Sequence, residues 1–83
     1  MALSSSIFAL HPFVVIRQVT QSVLSTNKDG YSTGQVEKVY QGCDTVHLNA
    51  YVLYKYSDAI PFMNSNTTYY VVHEDNIFLI YTP

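Results

Sequence analysis

Few side chains in this 83-residue chain could carry chemistry: His11, Cys43, Asp44, His47 and the run His73-Glu74-Asp75. A nucleophilic site would pair Cys43 with His47, four residues on, as its base. Asp44 argues against it, because a negative charge beside a thiol raises its pKa and suppresses the reactive thiolate. A metal centre needs several His, Cys or carboxylate ligands converging, and no pair here has the spacing of a finger or of one helical face. His73-Glu74-Asp75 falls between two strand-like runs and reads as a solvated hairpin tip whose side chains diverge. Gly30, Gly34 and Gly42 read as isolated turn residues, so no phosphate-cradling loop is present. The six acids lie mostly in turns and offer no facing carboxylate pair. The chain therefore reads as non-enzymatic, with no catalytic, cofactor or metal site.

Tyrosine is the residue type that remains. The chain has eight Tyr and four Phe but no Trp, and its charged residues reach only 12%. Tyr51, Tyr54, Tyr56, Tyr69, Tyr70 and Tyr81 all fall on predicted strands, where core packing is their first role. With so few charges, Ser, Thr, Asn and Tyr must cover much of the surface, and such a surface tends to associate. The predicted strand Val46 to Tyr56 alternates best. Val46, Leu48, Ala50, Val52, Tyr54 and Tyr56 form its apolar face, while His47, Asn49, Tyr51, Leu53 and Lys55 form a mixed one. Tyr51 and Lys55, with His47 and Asn49 beside them, are the candidate partner-binding residues on that mixed face.

The elements that would position this patch are strands. Thr67 to Pro83 reads as a β-hairpin turning at Asp75-Asn76, with Tyr70 opposite Tyr81 and both faces in need of cover, as in a central pair. Phe13 to Thr26 is ambiguous. Its periodicity suits a helix, but its valines, threonines and isoleucine suit a strand. The following Asn27-Lys28-Asp29-Gly30, a hairpin-loop sequence, favours a long strand, Val14 to Thr26, paired with Tyr31 to Gln41. Charges on both faces of Tyr31 to Gln41 make it an expected edge strand. Ser57 to Asn66 is expected to be the longest loop, with Pro61 excluding regular structure and Ile60, Phe62 and Met63 forming a lid on the core. The predicted fold is all-β: a small antiparallel meander of five or six strands, as a barrel or two-layer sandwich, with α+β as the alternative if 13–26 is helical.

Composition narrows the function classes. The chain is long enough for one domain, with residues 1–6 as a loose end. Its cations are only Arg17, Lys28, Lys38 and Lys55, and the net charge is −2. That is too little positive charge to track phosphates, so nucleic acid is an unfavoured partner. Cys43 is the sole cysteine, which excludes an internal disulfide and suits a reducing compartment. Asn66-Thr67-Thr68 fits the glycosylation acceptor pattern, which arises often by chance. The apolar N-terminus lacks a basic region and a cleavage site, and Met1 to Ile16 is too short to span a bilayer, so an intracellular, soluble chain is expected. The expectation is an interaction or structural protein, a homo-oligomer or bound to another protein, of the composition found in viral or phage accessory and particle components. The rival classes are a single-stranded nucleic-acid binder and a carbohydrate or small-ligand module, each using the same tyrosines.

Overall fold

The computed structural model describes residues 3–19, 24 and 29–83. Six strands form: β1 (Phe13–Gln18), β2 (Tyr31–Lys38), β3 (Tyr51–Lys55), β4 (Ile60–Asn64), β5 (Thr67–His73) and β6 (Ile77–Tyr81). They make a single antiparallel sheet in the order β4-β5-β1-β2-β3-β6, which is not closed into a barrel. The all-β expectation holds. Phe13–Gln18 is strand, not helix; the strand predicted to run to Thr26 ends at Gln18, since Val19 and Leu24 are not strand, and its residues 20–23 and 25–26 lie outside the described residues.

The predicted C-terminal hairpin does not form. β5 pairs with β1 and β4, whereas β6 pairs with β3. The reason is the turn. A two-residue hairpin loop of the favoured type needs positive φ at both central residues. Ser65 (φ 53°) and Asn66 (φ 65°) have it, and they close the β4–β5 hairpin. Asp75 and Asn76 do not. Glu74–Asn76 instead forms a 3-10 turn, with Asp75 N–H donating to His73 Nδ1 at 3.0 Å and Glu74 N–H to Pro12 O at 2.9 Å.

This short link bends the whole sheet. Four residue steps from His73 to Ile77 reach at most roughly 14 Å, while four strand spacings in a flat sheet would separate β5 from β6 by about 19 Å. The sheet therefore curls, and Tyr56, just after β3, meets Tyr70 of β5 with ring centroids 5.2 Å apart. Inside the curl lies the main core of Val14, Ile16, Val36, Val46, Ala50, Val52, Tyr54 and Val72. Tyr54 is fully buried and its hydroxyl has no hydrogen-bond partner among the described residues. Burial pushes that hydroxyl's pKa well up; Ser32, opposite it in the ladder, opposes the shift without reaching hydrogen-bond geometry.

Four further expectations are corrected. β2 is not an edge but sits between β1 and β3. Its charge at Glu37 is tolerated there because Arg17 on β1 meets it at 3.4 Å. Pro61 does not exclude structure: it lies within β4, an edge strand, where a missing N–H is tolerated. Nor do the apolar residues of that stretch form a lid together, since Ile60 and Met63 are exposed and only Phe62 packs, stacked on Tyr69. Gly34 is not a turn residue but is buried within β2. A Cβ added to it would lie 2.4 Å from Ile16 Cγ2 and 2.8 Å from the Arg17 carbonyl oxygen. Gly34→Ala should therefore cost about 2 kcal/mol through overpacking, read as a lower denaturant midpoint with an unchanged m-value.

Candidate interaction surface

The curled sheet has an outer face, and its two halves are treated differently. Over β1, β5 and β4 the N-terminal segment packs down: Leu3, Val15 and Tyr69 form a second buried cluster with Ile7, Ala9 and Phe62 against it. Leu3, which the sequence alone places in a loose end, is buried, and Ser4 N–H donates to Asn64 Oδ1 at 3.3 Å. Over β2, β3 and β6 the outer face carries Tyr31, Thr33 and Gln35 beside Lys55, Leu53 and Tyr51, and then Leu79 and Tyr81. Those eight residues belong to neither buried cluster and are half-buried or exposed.

Local sequence explains the arrangement. Alternation in β3 sends Val52 and Tyr54 inward, and Tyr51, Leu53 and Lys55 outward. The register of β6 against β3 slips between Leu53 and Tyr54. Ile77 thereby packs on the core while Phe78 meets Tyr31 with ring centroids 5.5 Å apart. Tyr51 and Tyr81 lie directly opposite, with centroids 5.9 Å apart. Both cations near this face are occupied. Lys55 Nζ is 3.0 Å from Asp58, whose carboxylate raises the Lys55 pKa. Arg17 reaches Glu37 and also donates to Gln35 Oε1 at 2.7 Å.

Of the four sequence-predicted residues, Tyr51 and Lys55 share this face. Neither is fully buried. Asn49 and His47 do not lie on β3, because residues 46–50 precede the strand as a connection in which Asn49 takes a positive φ of 69°. Asn49 stays linked to the face through its backbone oxygen, which accepts from Gln35 Nε2 at 3.3 Å. His47 is exposed away from the ladder, with Nδ1 3.1 Å from the Leu48 oxygen.

The sequence reading missed β6. It forms one edge of the sheet and exposes Phe78 (50%), Leu79 (41%) and Ile80 (50%). A hollow of about 290 Å³ lies between Ile77–Ile80 and Thr45, Val46 and Glu74. The signal was present in the run Ile77-Phe78-Leu79-Ile80-Tyr81, which holds no charge, proline or glycine. It was read instead as the inner strand of a hairpin.

The chemistry-bearing residues gather elsewhere. Tyr40 is buried, its hydroxyl donates to the Glu74 carboxylate, and His11 meets its ring edge-on at 4.7 Å. Glu74 pushes the Tyr40 pKa up, so the phenol stays protonated. At Cys43, burial pushes the thiol up, but hydrogen bonding with the Thr45 side chain, the backbone at Val46 and Thr45, and Tyr40 outweighs it and holds the pKa below its ordinary value. The net direction is thus opposite to the one expected from the neighbouring Asp44, which is not among the causes. Cys43 Sγ lies 3.5 Å from Thr45 Oγ1 and 3.4 Å from the Val46 oxygen, and among the described residues no imidazole is hydrogen-bonded to it. Among the described residues, no three His, Cys, Asp or Glu side chains converge as a metal site, and no helix is long and apolar enough to cross a membrane.

The fold and this surface define a small all-β domain built on one curled, open sheet. Compared with known proteins, the chain matches no family, and no curated protein is similar to it.

Proposed function

We propose that this chain is a non-enzymatic interaction protein that assembles with copies of itself through β6 and the adjoining tyrosine-bearing outer face. The observation that carries this reading is the uncharged, exposed edge at Ile77–Tyr81. Edge strands present a row of backbone donors and acceptors, and proteins that stay monomeric protect them with charge, proline or bulges. The other edge, β4, has Pro61 within it. β6 carries neither charge nor proline, and beyond the register slip at Phe78 antiparallel pairing of two β6 strands brings apolar side chains together without a buried charge.

Tyr51 and Lys55 would then border the contact, with Phe78 and Leu79 at its centre. Nucleic-acid binding is less favoured, because Arg17 and Lys55 are both held by carboxylates and would gain little from phosphates.

Light scattering across a concentration series tests the reading. The expected mass rises from the 9.4 kDa of one chain to twice that value. A mass of one chain at every concentration overturns self-assembly and leaves a foreign partner for the same surface.

A further inference from the structure

A cavity of about 470 Å³ lies between the Phe8–His11 segment and residues Lys38–Gln41, away from β6. Its size is within the range of small-molecule sites, which combine apolar walls with a few fixed polar groups. Phe8 and Leu10 stand on its rim 79% and 76% exposed, among the most exposed large apolar side chains described. Tyr40 contributes a ring rather than a free donor, since its hydroxyl is committed to Glu74. Lys38 is the only formally charged side chain in the lining, and no carboxylate lines the cavity. Among the described residues, Arg17 and Lys55 each have a carboxylate within ion-pair distance, and Lys38 has none. A second cavity of about 270 Å³, lined without any charged residue, shares Phe8, Ala9 and Leu10 with the first.

We propose that this cavity binds a small amphipathic carboxylate, with Lys38 as counter-ion to the head group and the Phe8–Leu10 segment holding the apolar body. Lys38 is half-buried and lines the cavity without a carboxylate beside it, and an anion there gives its ammonium a charge-assisted partner. His11 stands at the rim and supplies a further polar contact beside Lys38.

Sodium octanoate and its neutral analogue 1-octanol, titrated into the full chain and followed by amide chemical shifts, test the assignment; phenylpropionate distinguishes a ring-shaped body from a linear one. Octanoate is expected to give saturable shifts confined to residues 7–11 and 38–41, with octanol binding about tenfold more weakly. Lys38→Met keeps the apolar stem, and should weaken octanoate about tenfold while leaving octanol unchanged; Lys38→Arg should retain octanoate. Absence of saturable shifts, shifts centred on β6, equal binding of octanoate and octanol, or full affinity in Lys38→Met would each overturn the proposal. None of these outcomes bears on self-assembly, which is read separately from the solution mass.

Discussion

Replacing Tyr54 by Ala is expected to remove about 3–5 kcal/mol of stability, as for a fully buried aromatic, while Tyr54→Phe is expected to remove none and to add up to about 1 kcal/mol. The first number follows from position. Tyr54 has no exposed surface, and its ring lies against Gly34, where an added Cβ would come within 3.2 Å of Cε1. A domain of this length is stable by roughly 4–12 kcal/mol, so the Ala variant loses a large fraction of its fold. The second number follows from the hydroxyl. It is buried without a hydrogen-bond partner, and removing an unpaired buried polar group recovers part of its desolvation cost. Urea unfolding of the two variants reads both effects. A loss of about 2 kcal/mol or more in Tyr54→Phe would mean that the hydroxyl has a partner in solution, with Ser32 the first to examine.

Leu79→Lys should abolish assembly while leaving the monomer folded. Leu79 is 41% exposed and stands opposite Leu53 on the outer face, so the lysine stem can follow the same surface and keep its ammonium in water. The expected loss of monomer stability is under about 1.5 kcal/mol. In a two-fold pair of β6 strands, each copy brings the new charge close to its counterpart. Like charges brought together at an interface cost several kcal/mol, equivalent to a hundredfold or greater rise in the dimer dissociation constant. Met63→Lys on β4 is the control, since Met63 is 66% exposed on the opposite edge. Sedimentation or light scattering of the two variants decides the matter. If Leu79→Lys assembles as the unaltered chain does, β6 is not the contact.

The two variants also separate what was legible from what was not. The pattern of Val52 and Tyr54 inward, Tyr51 and Lys55 outward, can be read from the alternation alone, and the register bears it out. The exposure of Leu79 could not be read that way, because an apolar run looks the same at a sheet's centre and at its edge. His47 and Asn49 were drawn onto the strand by the same alternation, although a positive φ at Asn49 ends the pattern before Ala50. Gly34 was misplaced for a related reason. A glycine signals a turn unless a neighbouring strand demands the space, and Ile16 and Tyr54 make that demand from other strands.

From the sequence it could be read that the chain is all-β, that strands lie within Tyr31–Gln41 and Val46–Tyr56, observed as Tyr31–Lys38 and Tyr51–Lys55, and that Gly30 belongs to a turn, where it takes a φ of 91°. Those are local properties: side-chain branching, alternation and the conformational freedom of one residue. Which strands become neighbours depends instead on long-range geometry. The β4–β5 turn takes the positive φ values that a tight hairpin needs and the β5–β6 link does not. β5 is therefore drawn to β1 and β4, β6 is carried to β3, and the sheet curls to span a three-residue connection. That curl buries Tyr54, leaves Ile77–Tyr81 as an open edge, and so places the surface on which the proposed function rests.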